Sequence, residues 1–398
     1  MIIYSKDGEP TVPQRLYSID VFRAVTMLLM IFVNDAASVS NLPKWIDHAE
    51  AAADSMGFAD TIFPAFLFIV GLSLPLAIQK KYSQGKSNLS VIYYILSRSV
   101  ALLVMGFYHV NAENYSDAAL LPRSVWTIIV TIGFFLIWLD YPKHFSRQTK
   151  FSFVAGGVLL LCLMAYLYKG GSEEAPVGME SSWWGILGII GWAYLLCASL
   201  YFLCKGKLMF MCGLLLVLIA INIGVHADFL HLNIRLIGDG SSATLTMAGV
   251  VVTLLYQYYY QLKKLHVLYR LLLSLVVVFF VGGFMVRPIT GGISKIYATP
   301  AWVFICTAIS ILFFEMFIYL VDVKEQKNKF KFIRPAGTST LTCYLIPDLL
   351  YSFYYLVGFH YPHFFNHGVG GLLRSVFIAF LVVFIAGMLD KKGMRLRI

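Results

Sequence analysis

Apolar runs of roughly 17 to 25 residues, the length a tilted helix needs to cross a bilayer, recur along the whole chain between short polar connections. They predict twelve spanning helices, near residues 19–39, 60–79, 91–110, 124–140, 151–168, 183–204, 207–226, 243–262, 267–287, 297–321, 338–358 and 371–390. The first run is the least suited to lipid. It reads SIDVFRAVTMLLMIFVND, with Asp20 and Arg23 at its start, Asn34 and Asp35 at its end, and only about ten plainly apolar residues between. Ionisable groups so placed face a protein interior or a water-filled cavity. This helix is therefore expected to line a reaction cavity, with His48 in the loop beyond its far end. Gly185, Gly188 and Gly191 form a small-residue stripe that favours close helix packing.

Composition agrees with the pattern. Of 398 residues, 59% are hydrophobic and 13% charged, and the mean hydropathy is +0.75, well outside the range of soluble domains. The expected fold class is all-α: a polytopic integral membrane helical bundle in one domain, residues 1–398, with no separate soluble part. A net charge of +10 raises the question of a nucleic-acid partner, but position overrules the total. Of the 31 Lys and Arg, 24 fall in the N-terminus, every second connection and the tail, and the other seven are Lys44, Arg123, Lys169, Arg235, Arg287, Lys295 and Arg374. That is the positive-inside pattern. It puts both termini in the cytoplasm and His48 on the opposite side, facing no nucleic acid. The first run is followed by NDAASVSN rather than an A-x-A site, so it is expected to remain as an uncleaved anchor.

Candidate chemistry gathers at the far end of the first helix. The His48 imidazole can take a proton from an amine or hydroxyl and return it, although a solvated loop histidine reads the same way. Asn34 can donate to a developing oxyanion or orient the histidine, and Asn and Asp are also common at helix ends. Asp60, before Phe63-Pro64, is expected chiefly as an N-cap. Asp20 and Arg23, three apart, can share a helix face. The outer connections are rich in acids, among them Asp47 and Glu50, which would suit a cationic amine. The six cysteines lie in or at the ends of apolar runs, as small core residues. His360, His363 and His367 share an outer loop, and His226 and His231 flank Asp228, but neither set has a clear metal-ligand register, so no metal is expected. Glu315 and Asp348 are intramembrane acids and functional candidates on that ground alone. No P-loop, dinucleotide fingerprint, nucleophile elbow or H-E-x-x-H occurs.

Two blocks resemble the heparan-α-glucosaminide N-acetyltransferase family, including its bacterial branch associated with amino sugars. One, within 15–80, holds SIDVFRAVTMLLMIFVND, His48 and FADTIFPAFLFIVGLSLPLAI. The other, within 293–350, runs from ISKIYATPAW through Leu320–Lys324 and Pro335–Gly337 to LIPDLL. Together they cover roughly a quarter of the chain. The resemblance implies transfer of an acetyl group from cytoplasmic acetyl-CoA, as co-substrate, to the amine of a glucosamine across the membrane. The family's histidine, asparagine and aspartate fall on His48, Asn34 and Asp60. Departures exist: the interval from His48 to Asp60 is slightly longer, Ser294 and Tyr297 replace Asn and Trp, and Thr338-Ser339 replace Met-Asn. The segment 150–226 reads as three helices where lysosomal members have one.

On this reading CoA's pantetheine arm threads the bundle, its nucleotide held near Arg23, Arg98 or Lys324, and Asp35 and Asp47 meet the amino sugar or glycan end. His48 is general base or acetyl carrier. The site faces the periplasm of a bacterial inner membrane, and a homodimer is compatible. Two other functions stay open: a secondary transporter of amino sugars or cell-wall fragments, disfavoured by the lack of an internal repeat, and an envelope glycan O-acetyltransferase.

Overall fold

A computed structural model describes residues 16–142, 144–231 and 236–398. Lys6, Arg15, Lys143 and Arg235, counted in the charge pattern, lie outside the described residues. Among the described residues the regular structure is helical apart from a two-stranded hairpin, Gly170–Gly171 with Pro176–Val177. The helices are α1 (Tyr17–Ala36), α2 (Ala59–Ser83), α3 (Asn88–Glu113), α4 (Arg123–Trp138), α5 (Arg147–Leu167), α6 (Ile186–Leu203), α7 (Leu208–His226), α8 (Ser241–Gln261), α9 (Leu265–Val286), α10 (Pro300–Phe317), α11 (Arg334–Thr338), α12 (Thr340–Leu356) and α13 (Gly368–Lys391).

A helix stands at each of the twelve expected stretches, and the short α11 is an addition. Among the described residues, eight helices are long and apolar enough to cross a membrane, and the protein is an integral membrane protein. The other four long helices are shorter or more polar, α1 for the reason visible in its sequence. The divergent segment does hold three helices, α5, α6 and α7.

The chain divides into two compact units. One comprises the described residues up to Thr26 with Leu42–Ser99 and Ile190–Lys331; the other comprises Met27–Asn41, Val100–Ile189 and Phe332–Ile398.

In the first unit, α2 and α8 lie backbone to backbone. A Cβ at Gly71 would fall on the Thr246 carbonyl, and one at Gly249 on the Phe68 carbonyl, so only glycine admits this approach. Water-free packing leaves polar groups to find partners within the protein. Thr253 Oγ1 donates to the Leu72 carbonyl at 2.8 Å, and Gln79 and Gln257 exchange amide hydrogen bonds of 3.0 and 2.7 Å. The α10 helix packs on both α9 and α2.

In the second unit, α4 packs between α5 and α12, with Trp126 Nε1 donating to the Met164 carbonyl at 2.9 Å. Of the glycine stripe, Gly188 lies against Gly106 of α3, where a side chain on Gly106 would strike its backbone. A buried ion pair, Asp35 to Arg374 at 3.1 Å, ties the end of α1 to α13.

Candidate active site

The loop from Leu42 to Phe58 carries His48 and closes over the start of α2. Side chains on a helix tilt toward its N-terminus, so Asp60, in the first turn, reaches back into this loop. Its Oδ2 accepts the backbone N–H groups of Ala49 at 3.0 Å and Gly57 at 2.9 Å, and its Oδ1 lies 2.7 Å from His48 Nδ1. Asp60 is only 1% exposed and His48 32%. Beyond its place in the first turn of α2, the Asp60 carboxylate is met by loop amides and an imidazole. Gly57 makes the closure possible, since a Cβ there would fall on the Asp47 carbonyl oxygen. Asp47 in turn accepts the His48 backbone N–H at 2.7 Å.

A third group joins the pair. Lys295 Nζ, from the α9–α10 connection, lies 3.1 Å from His48 Nδ1 and 3.7 Å from Asp60 Oδ1. Burial, only partly offset by Asp60, holds this ammonium below the ordinary lysine range. A carboxylate oxygen and an imidazole nitrogen at 2.7 Å need a proton between them, which assigns it to Nδ1 and leaves Nε2 as the basic nitrogen. A carboxylate so placed orients the ring and can stabilise an imidazolium formed by protonation at Nε2. Trp302 Nε1 donates to the Asp60 backbone carbonyl at 3.1 Å, fixing that turn against α10.

The same α9–α10 connection holds the His48 loop from outside. Arg287 forks onto Asp54 with contacts of 2.8 to 3.0 Å, the Ile293 N–H donates to Asp54 Oδ1 at 2.7 Å, and Ser294 Oγ donates to the Ala51 carbonyl at 2.9 Å. The Arg287 hydrogen bonds hold the Asp54 carboxyl below its usual range. His226, at the end of α7, has one ring nitrogen 2.8 Å from the Tyr297 carbonyl. Ser294, a departure from the family pattern, is thus an anchor for the loop. Lys295, Asp54 and Arg287 were not singled out from sequence as site residues. The one signal for Lys295 was its place in the second resembling block.

The other expected residues fall as follows. Arg23 pairs with Asp20 at 3.5 Å on one helix face and donates to Ser73 Oγ of α2. Arg98 donates to the Tyr94 hydroxyl at 3.1 Å and lies over the Tyr194 ring at 5.1 Å. Lys324 is exposed and 5.6 Å from the Tyr319 ring. All of these, with His48, Asp47 and Asp60, belong to the first unit.

Asn34 and Asp35 belong to the second unit. Asp35 is 3% exposed; it receives Arg374 Nε at 3.1 Å and Ser375 Oγ at 2.6 Å on one oxygen, and the Tyr351 hydroxyl at 2.6 Å on the other. Asn34 lines a cavity of about 110 Å³ with Met27, Ile31, Tyr344, Pro347, Asp348 and Tyr351. His363 and His367 stack with ring centroids 3.9 Å apart. In the first unit, Glu315 Oε2 is buried with no hydrogen-bond partner among the described residues.

Comparison with known proteins adds a lineage to this geometry. Residues 15–272 match the family model described as Domain of unknown function (DUF5009). The heparan-alpha-glucosaminide N-acetyltransferase of Homo sapiens is 34% identical over 103 residues, 26% of this chain and 15% of that protein. Its Mus musculus counterpart is 30% identical over 158 residues, 37% of this chain and 23% of that protein. The aligned stretches span less than a quarter of either relative's length.

Proposed function

The chain belongs to the DUF5009 family, and on that premise we propose that it is a transmembrane N-acetyltransferase, moving an acetyl group from cytoplasmic acetyl-CoA to the amine of a glucosamine-type sugar on the far side of the membrane. The observation that carries the proposal is the His48–Asp60 pair at 2.7 Å, seated in a stretch that resembles enzymes named for this reaction. His48 Nε2 takes the proton of the attacking amine. The new C–N bond forms at the acetyl carbon, the C–S bond breaks, and the CoA thiolate leaves to accept a proton in turn. Asp60 holds the imidazole and offsets its charge while the proton resides there, and Lys295 keeps the net charge of the pair from becoming too negative.

In this reading Arg23, Arg98 and Lys324 supply the cationic contacts for the CoA nucleotide and phosphates. Asp47 fixes the backbone at His48 and faces the acceptor. Asp35, with both oxygens occupied, serves the architecture of α1 rather than the sugar. The oxyanion role expected for Asn34 is a separate proposal that the role of His48 does not require. Topology follows the charge pattern: twelve crossings, both termini cytoplasmic, one transmembrane acyltransferase domain, His48 on the periplasmic side of a bacterial inner membrane.

The test is mass spectrometry of products after purified protein meets acetyl-CoA and a panel of amino sugars. An N-acetylated sugar is expected; uptake of unmodified sugar into proteoliposomes without acetyl-CoA would favour a transporter instead. Direct attack is preferred over an acetyl-histidine. Radiolabelled acetyl trapped on the protein without acceptor, and absent from His48→Ala, would reverse that preference.

A further inference from the structure

The second unit holds a polar cavity in which Asp348, Tyr344 and Tyr351 have no part in the proton transfer proposed for His48. Asp348 lies in the middle of α12, after Pro347, and its Oδ2 is closed off from the surface with no hydrogen-bond donor among the described residues. It stands 3.6 Å from His109 Nδ1, within ion-pair range when that ring is protonated. The Asp348 side chain is 34% exposed, and because Oδ2 is closed off, the oxygen that can meet an occupant of the cavity is the other one. Asp348 lines the cavity of about 110 Å³ that also meets Asn34, Tyr344 and Tyr351, and no partner for the Asn34 side chain is found among the described residues.

The walls of this cavity are held in place. The Tyr351 hydroxyl donates to Asp35 at 2.6 Å, and Asp35 is locked by Arg374 and Ser375, so the phenol ring is fixed from behind. Tyr344 meets the His109 ring, centroids 5.7 Å apart, and His109 stacks on Phe134 at 6.0 Å. The neighbouring charges that bear on Asp348 are His109 and Arg123, and Glu113 offsets Arg123 in turn.

We propose that this cavity, built by Asp348, Asn34, Tyr344 and Tyr351, binds the primary ammonium group of an amino sugar. The inference rests on the acetyltransferase reading for its choice of amine. Each wall has a part. The Asp348 carboxylate gives a charge-assisted hydrogen bond, the phenol rings give the negative faces that attract a desolvated cation, and the Asn34 amide oxygen gives a further acceptor. The volume holds an ammonium with its attached carbon and not a whole sugar, so the site selects the charged nitrogen and leaves the ring outside. An N-acetylated sugar carries neither the charge nor the small terminus, so product is rejected where acceptor is held.

Equilibrium binding of tritiated glucosamine to the full-length protein in detergent, without acetyl-CoA, tests this directly. Glucosamine is expected to bind at least tenfold more tightly than N-acetylglucosamine or glucose. Asp348→Asn should lose at least tenfold in glucosamine affinity and Asp348→Glu should recover part of it, while Tyr344→Leu falls between; each variant is compared at an unchanged thermal transition. Equal binding of glucosamine and N-acetylglucosamine, or Asp348→Asn binding like the parent, overturns the proposal. Acetylated product formed by a protein whose glucosamine affinity ignores Asp348 removes this cavity and spares the transferase. Asp348-dependent binding with no acetylated product spares the cavity and removes the transferase.

Discussion

Two carboxylates, Asp60 and Asp348, each face a histidine from the start or middle of a helix, and they are treated in opposite ways. Both oxygens of Asp60 have donors: two loop N–H groups on one, His48 with Lys295 behind it on the other. Asp348 has one oxygen closed off with no hydrogen-bond donor among the described residues, its histidine at 3.6 Å, and a side chain 34% exposed. A fully satisfied buried network rigidifies, which suits a base that must be aimed before substrate arrives. A part-exposed carboxylate lining a cavity is complementary to something that brings a donor. On the proposed reading one site is finished by the protein and the other by a ligand, and the difference is that between a group that acts and a group that selects.

The largest effect should come from removing the acting group. His48→Ala is expected to lower acetyl transfer by about 10² to 10⁴-fold, the usual worth of a general base, with the protein's amount and elution unchanged. Undiminished turnover would end the assignment of His48. Next, Asp60→Asn should reduce kcat by about 10²-fold, because an amide can no longer stabilise the imidazolium. Asp348→Asn in the same assay should act chiefly on KM for the amino sugar. If the two variants gave the same split between kcat and KM, the contrast between them would have no functional content.

Much of this arrangement was legible in the residues, and the part that was not has a physical reason. Apolar runs marked the position of every long helix, because a helix in lipid or in a membrane bundle must satisfy its backbone within itself and is apolar over much of its length. The polarity of α1 pointed to its special surroundings. Alternation of Lys and Arg reads out insertion and not fold, so it supports the proposed topology without saying which side chains meet. The donors of Asp60, the amides of Ala49 and Gly57, could not be read from sequence because they are brought to it by a loop whose path depends on Gly57 lying against the Asp47 carbonyl. Lys295 was invisible for a related reason: 247 positions separate it from His48, and only folding joins them. His109 carried no local signal, since a lone histidine in an apolar helix differs from a core residue only in what it faces.

A smaller effect is expected from the cation that joins the first pair. Lys295→Met removes a positive charge 3.1 Å from the imidazole and leaves Asp60 to favour the protonated ring. The acid limb of the pH–rate profile should therefore move to higher pH, with turnover at neutral pH falling by about tenfold or less. Burial already holds the Lys295 ammonium below the usual range, so charge on this lysine is lost at a lower pH than on a surface lysine. A pH profile unaltered in Lys295→Met would leave the lysine a packing role.

The smallest effect belongs to the outer clamp on the His48 loop, and its pH dependence has a definite sign. Asp54 is held below the ordinary carboxylate range by Arg287, so the folded loop binds its proton less readily than the released loop does. The clamp's contribution is therefore complete above the ordinary carboxylate pKa of about 4 and fades as pH falls through the lower folded value. Both partners are substantially exposed, 47% for Asp54 and 40% for Arg287, and salt screens such pairs. Hydrogen exchange at Ile293, whose N–H meets Asp54 at 2.7 Å, should be slow and even from about pH 5 to 8 and speed up below about pH 4 beyond the intrinsic trend. Asp54→Asn should exchange faster already at neutral pH, lose only a few-fold in turnover, and show no acid step. Equal protection in parent and variant would mean that Ser294 and Lys295 hold the loop unaided, and that the rigidity credited to the His48 site comes from its buried side alone.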